Sequence, residues 1–223
     1  MNNRQRITWI KTIFVTMSTI MISLGVCLFL RGRLGSDAIT IFIDGLRNAL
    51  NITIGNATLL NNSVMLALAT IFARRFMHIG TVVAALGTGI FINFFDPILV
   101  GIVGEAPNLP VRIFLLVLGQ IILTAGVAWN LSTRFGFGTT DALLVGLCHK
   151  FGLKYRNVKI LSDVIYAAVG FLLGGIVGAG SLASVMTGGP LIAWFEKNLF
   201  DKLALKFRIH ELEPVNIVGG ETS

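Results

Sequence analysis

Apolar residues in this chain run together in long blocks, without the alternation of a half-buried strand or the narrow stripe of a helix that faces water. A bilayer core of about 30 Å takes about 20 helical residues at about 1.5 Å each, and the blocks sort against that length. Residues 10–30 form a full span after a polar lead carrying Arg4 and Arg6. Residues 38–50 are apolar but short, interrupted by Asp44 and Gly45. Residues 57–73 follow, closed by Arg74, Arg75 and His78; then 79–95, with an extension past Asp96 and Pro97 to 103 as an option. A polar connector at 105–110 holds two prolines and reads as a loop. Residues 113–131 are an uninterrupted span, 140–151 another short block, and 158–177 a long one containing Asp163. Residues 182–195 end the apolar region and are broken by Gly188, Gly189 and Pro190.

The order long, short, long, long occurs twice. A shift of 101 residues lays the halves on each other without a gap: Lys11 on Arg112, Gly25-Val26 on Gly126-Val127, Arg33 on Arg134, Gly35 on Gly136, Gly45-Leu46 on Gly146-Leu147, Asn56 on Asn157, Gly87 on Gly188. Aliphatic identities come cheaply in such a composition, but matched glycines, an arginine and an asparagine do not, so the chain reads as a tandem repeat of residues 9–103 and 112–195. Residues 1–223 form one membrane domain, and 196–223 read as a basic cytoplasmic tail in which Leu199, Phe200, Leu203 and Phe207 alternate with Lys197, Lys202, Lys206 and Arg208.

Composition strengthens the membrane reading. Hydrophobic residues make up 54% and charged residues 13%, against about 25% charged in a soluble domain. The expected fold class is an all-α polytopic membrane protein of two tandem homologous halves, with six full spans plus two short or re-entrant helices; eight spans are the alternative. With the N-terminus inside, eight spans place 13 of the 18 Lys and Arg on the cytoplasmic side, and six spans place 14 there. That difference cannot decide between them. Both keep the N-terminus, the Lys150–Lys159 loop and the C-terminus inside a bacterial plasma membrane. The net charge of +7 is then lipid-headgroup anchoring, and no nucleic acid is expected as a partner. Cys27 and Cys148, both in apolar blocks, read as reduced thiols.

The chemistry is concentrated in the short blocks. Short, glycine-interrupted apolar segments at matching places in two halves point to a transporter site, because a helix that starts inside the protein aims unpaired N–H groups and a positive dipole end inward. One block opens with Gly35-Ser36-Asp37 and the other with Gly136-Phe137-Gly138-Thr139-Thr140-Asp141. The same residues are ordinary helix caps when they lie at the membrane surface. Asp44, Asp141 and Asp163 fall inside apolar stretches, and Asn62 holds the repeat position of Asp163. A carboxylate there faces a cavity or a partner, with Arg33 and Arg134 as the nearest basic candidates. The candidate substrate-binding set is therefore Ser36, Asp37, Asp44, Asn62, Arg33, Arg134, Gly136, Gly138, Thr139, Thr140, Asp141 and Asp163.

No enzyme constellation is present. His78, His149 and His210 are scattered, with no metal-binding spacing and no phosphate loop or nucleophile elbow. The expectation is a protein without catalytic residues, cofactor or metal. Its partners would be the lipid bilayer, a small solute or ion, and a second copy of the chain or another membrane protein.

The stretch Arg33-Leu-Gly-Ser-Asp-Ala-Ile-Thr-Ile-Phe-Ile-Asp-Gly-Leu46 is similar to a hallmark of the YczE/YyaS/YitT-like bacterial membrane proteins. So are Arg134-Phe-Gly-Phe-Gly-Thr-Thr-Asp-Ala-Leu-Leu-Val-Gly-Leu147 and the glycine-rich run from Asp163 to Gly180 leading to Gly189-Pro190. The resemblance covers roughly residues 10–195. It implies a bacterial plasma-membrane location and supplies no substrate. The leading expectation is a small secondary transporter or permease; the alternative is a non-transporting subunit, chaperone or regulator of another membrane protein.

Overall fold

The structure, a computed structural model, describes residues 3–74, 77, 79–104, 108–133 and 138–201. Its regular elements are α1 (Asn3–Gly32), α2 (Ala38–Leu50), α3 (Ile54–Phe72), α4 (Ile79–Val103), α5 (Leu109–Ser132), α6 (Thr139–Phe151), α7 (Tyr155–Leu172) and α8 (Ala179–Phe195), followed by a π-helical turn at Glu196–Phe200. No strand occurs among the described residues. Four helices, α1, α3, α4 and α5, are long and apolar enough to cross a membrane. The other four fall short in different ways. α7 carries Arg156, Lys159 and Asp163 within its 18 residues, α8 has 17, and α2 and α6 have 13 each. Thirteen residues make a helix only about 20 Å long.

The outer surface is apolar. On α4 the residues Ile79, Val82, Leu86, Ile90, Phe94, Ile98 and Ile102 form an exposed stripe at helical spacing, with Ile102 74% exposed. α7 and α8 likewise present Leu161, Val164, Leu172, Leu182 and Val185 outward. The interior is comparatively polar: Ser18, Thr19 and Ser23 of α1 are fully buried, as is Thr81. Water would reverse this arrangement, and hydrocarbon accepts it. The buried hydroxyls bond helix carbonyls, as Ser23 Oγ does to Thr19 O at 2.7 Å and to Thr88 O at 3.1 Å.

Contact registers give each helix its direction. α1 and α4 run parallel: Ser23 meets Thr88, Cys27 meets Ile92 and Arg31 donates to Asp96. α5 and α8 also run parallel, with Leu116 against Gly180 and Gln120 bonded to Ser184 and Thr187. α1 and α5 run antiparallel: Arg112 Nε donates to Gly32 O at 2.8 Å, while Asn130 Nδ2 donates to Ser18 Oγ at 3.1 Å. Between those ends the backbones nearly touch. A Cβ at Gly25 would lie 2.8 Å from Leu123 Cα, and one at Gly126 would lie 2.9 Å from Ile22 N. α3 turns back along α4 through Thr53–Asn93 and Asn62–Ala85 bonds.

Of the two short helices, α2 packs on α7 and α6 on α3. α2 lies parallel to α7, with Phe42 over Gly170, Gly45 against Leu173, and Asn48 Nδ2 donating to Gly174 O at 2.8 Å. α6 lies parallel to α3, with Leu143 among Ala69 and Ala73, Gly146 against Ala73, and the Lys150 ammonium 5.2 Å from the centre of the Phe72 ring. α1 and α4 therefore run one way and α3, α5, α6 and α8 the other.

Several sequence expectations change. The helix of 158–177 stops at Leu172, where Gly174 takes φ +91 and Gly175 N donates to Gly170 O at 2.8 Å; residues 175–178 then pass close along α2. The expected break at Gly188-Gly189-Pro190 is absent, because α8 runs through Pro190 to Phe195. In apolar surroundings one hydrogen bond lost to proline costs less than freeing several more. α4 likewise continues through Pro97 to Val103. Residues 202–223, including Lys202, Leu203, Lys206, Phe207 and Arg208, lie outside the described residues.

Gly170→Val is expected to lower the melting temperature of detergent-purified protein strongly, since its Cβ would fall 2.6 Å from Phe42 Cα and overpacking costs about 1–3 kcal/mol or more. Gly101→Ala, where nothing lies within 4 Å, should leave it unchanged or raise it, because alanine is the better helix former by about 1 kcal/mol.

Candidate functional site

The start of α2 is held by its own cap and by the other half of the chain. Asp37 accepts from Thr40 Oγ1 at 2.6 Å and from Thr40 N at 3.4 Å, an ordinary N-cap. The turn before it needs Gly35, whose φ is +97 and whose missing Cβ admits Gly178 N and Ser181 Oγ. Ser36 N donates to Ser181 Oγ at 3.1 Å, and Gly180 N donates to Leu34 O at 2.8 Å. α6 starts differently. Its N-cap is Gly138, which offers no side-chain cap, and Thr139 and Thr140 are buried behind it. Backbone N–H groups at such an end are a ready site for a negative charge, and the first turn supplies its own in Asp141.

The two starts meet at α7. Lys159 Nζ lies 3.1 Å from Asp163 Oδ1 and 3.6 Å from Asp141 Oδ1. Tyr155 donates its hydroxyl proton to the same Asp141 oxygen at 3.0 Å. Asp37 lies within electrostatic reach of both Lys159 and Asp163. Two carboxylates thus hold one ammonium with a third in electrostatic reach, all four side chains coming from the starts of α2 and α6 or from α7. Asp141, Lys159 and Asp163 are each about one-third exposed, at 38%, 31% and 39%. Buried Tyr166, edge-on to Phe42 with ring centres 5.2 Å apart, stands next to this group.

Asp44 belongs to a second place. It is 5% exposed, accepts from Ile176 N at 3.2 Å, and has Arg47 Nη1 3.6 Å from its other oxygen. Together with Phe29, Leu30, Arg33, Gly35, Ser36 and Ile176 it lines a crevice of about 10 Å³, room for about one water. Its chief work is to hold the strand-like segment 175–178 against α2. Arg33 has φ 49, and its carbonyl accepts from Arg112 Nη2 at 2.6 Å.

Of the residues expected at one site, the structure brings together Asp37, Asp141 and Asp163, with Gly138, Thr139 and Thr140 at the adjoining helix start. It separates Asp44, Arg33 and Ser36 into the crevice. Asn62 is elsewhere, bonding Ala85 O at 2.9 Å between α3 and α4. The partner of Asp163 is Lys159, one helical turn before it, rather than Arg33. Arg134 and Gly136 lie outside the described residues. Lys159, Tyr155 and Tyr166 were missed by the sequence reading. The i, i+4 spacing of Lys159 and Asp163 on an otherwise apolar helix was the available signal. The Arg31–Asp96 pair, which ties α1 to α4, had none. Cys27 is a buried free thiol, as expected of its apolar block, and Cys148 is free but only partly buried.

Exposed apolar stripes, polar interior contacts and four span-length helices make this a multi-pass α-helical integral membrane protein. Residues 9–197 match the family described as "Family of unknown function (DUF6198)", and the chain belongs to that family. It is 27% identical over 187 residues to an "Uncharacterized protein" of Haemophilus influenzae, 83% of each chain being covered. It is also 26% identical over 179 residues to "Uncharacterized membrane protein YczE" of Bacillus subtilis, covering 78% of this chain and 80% of the relative. With "Uncharacterized protein YyaS" of the same organism the identity is 22% over 188 residues, 83% of this chain and 92% of the relative. These relatives agree with the resemblance read from the two short blocks. No solved structure matches the chain.

Asp44→Ala is expected to destabilise the protein by about 1–3 kcal/mol, the cost of leaving the Ile176 N–H without its acceptor. Asp44→Asn keeps an acceptor oxygen and should lose less. Urea or thermal unfolding in detergent compares the two.

Proposed function

We propose that this protein is a small secondary transporter or permease of the bacterial plasma membrane, carrying a small solute or ion through a site at the Lys159 cluster. The observation that carries the reading is the meeting of two helix starts there. α2 and α6, each too short to cross a bilayer, begin beside the first half of α7 and bring Asp37 and Asp141 to the Lys159–Asp163 pair that α7 itself carries. Charged groups in such a setting belong to solute or ion pathways more often than to packing.

In this reading the six longer helices cross the membrane, and α2 and α6 enter from opposite faces and return. The two halves are inverted repeats. Support comes from contacts that exchange under the 101-residue shift. Gly25 meets Leu123 as Gly126 meets Ile22, and Gly45 meets Leu173 as Gly146 meets Phe72. α1 and α5, the equivalent first helices, run antiparallel, which inverted halves require and eight parallel-repeat spans do not allow. The N-terminus and the end of α6, with Lys150 and Lys154, face the cytoplasm, as does the C-terminus.

Two measurements test this. Purified protein in liposomes is screened for flux of small solutes and ions; Asp141→Asn and Asp163→Asn should each slow the active flux by about tenfold or more, the order expected when a charge partner in the site is lost. Absence of flux for every solute, with co-purification of a stoichiometric partner, would overturn the reading in favour of a membrane subunit or regulator. For topology, single cysteines at Asn51 and Phe151, in a background lacking Cys27 and Cys148, should label from opposite sides of intact cells. Labelling from the same side would sink the inverted arrangement.

A further inference from the structure

Resting on that assignment of the site, we propose that the group formed by Asp141, Asp163 and Tyr166 receives the primary ammonium group of a small organic cation. Charge makes the first argument. Asp141 and Asp163 pair with the ammonium of Lys159, and Asp37 lies within its electrostatic reach, three carboxylates to one ammonium. The starts of α2 and α6 each contribute about half a positive charge, which leaves about one negative charge over. One monovalent cation completes the site, and a divalent one overshoots it.

The second argument comes from Tyr166. It is more than nine-tenths buried, at 8% exposure, and its hydroxyl sits beside Thr140 without making a hydrogen bond of full geometry. That hydroxyl is in the field of Lys159, Asp141 and Asp163. A buried hydroxyl without a partner is costly, and an N–H donor arriving among the carboxylates would satisfy it. Geometry then separates an ammonium from a metal ion. The carboxylates already accept an ammonium, that of Lys159, at 3.1 and 3.6 Å, whereas a metal requires a convergent cage of oxygens at about 2.0–2.6 Å. No group of metal-ligating side chains converges in that way among the described residues. The edge-paired rings of Phe42 and Tyr166 provide an aromatic wall for the carbon portion of the ligand and for cation–π attraction.

The test uses the full chain, purified in detergent, titrated with ethylammonium, tetraethylammonium and sodium chlorides at constant ionic strength and read by melting temperature. Ethylammonium should give a saturable rise. Tetraethylammonium, which has no N–H donor, and sodium should give none. Tyr166→Phe, a conservative change that keeps the ring, should weaken ethylammonium by roughly tenfold, the loss of one hydrogen bond, and Asp163→Asn should abolish the rise. An equal rise with sodium, or no rise with ethylammonium in folded wild-type protein, overturns the ammonium assignment. Flux that depends on Asp141 and Asp163 would still uphold the permease reading in that event. Ethylammonium binding without flux of any solute would do the reverse.

Discussion

A helix carries unpaired N–H groups at its start, and in hydrocarbon nothing but the protein itself can receive them. Helices long enough to reach the headgroups on both sides escape this constraint. α2 and α6, at 13 residues, do not. One meets it with its own Asp37 side chain; the other starts at a glycine without a side-chain cap and carries the charge of Asp141 in its first turn. The charges this brings in need a counter-charge, which α7 supplies in Lys159. The short helices thus account for the polar cluster at α7 and for the pairing of a lysine and an aspartate one turn apart on that helix.

Around that centre, packing depends on size rather than on apolarity. Lipid tails are as apolar as leucine, so helices gain from lying together only where their backbones come close or their polar groups pair. Glycines at the α1–α5 crossing and at the α2–α7 contact allow such approach. Buried serines, threonines and amides add bonds between helices, such as Asn130 to Ser18 and Gln120 to Ser184 and Thr187. Only one carboxylate–arginine pair, Arg31 with Asp96, joins two long helices among the described residues. Elsewhere small residues and hydroxyl-to-carbonyl bonds serve the same end at a lower desolvation cost.

Helical class and element order were legible because runs of apolar residues report their medium directly, and block length reports helix length. The starts of α2 and α6 were legible from Asp37 and from Gly138 to Asp141, since capping is local chemistry. Asp141 and Asp163, both carboxylates within apolar runs, come together at Lys159. Asp44 and Asn62 lie apart from them: a carboxylate or amide in an apolar run signals that it needs a partner, without saying which. For Asp44 the partner is the Ile176 backbone, 132 residues away, and for Asn62 it is the Ala85 carbonyl. The end of α7 was also misplaced, because residues 173–178 are apolar enough to continue a helix and leave it only to lie against α2.

The sequence by itself determined that the chain folds as helices in an apolar medium, in what order the helices come, and which two are the shortest. These follow from local preferences and from the thickness of a bilayer, which is the same for every chain. Tertiary structure alone decided that α1 and α5 run antiparallel, that α2 packs on α7 and α6 on α3, and that Lys159 stands between Asp141 and Asp163. Helix direction and partner depend on contacts between residues about 80 to 130 positions apart, such as Arg112 with Gly32 and Asn48 with Gly174. Both helix faces are apolar in a membrane, so the pattern of apolar positions does not say which face meets which neighbour.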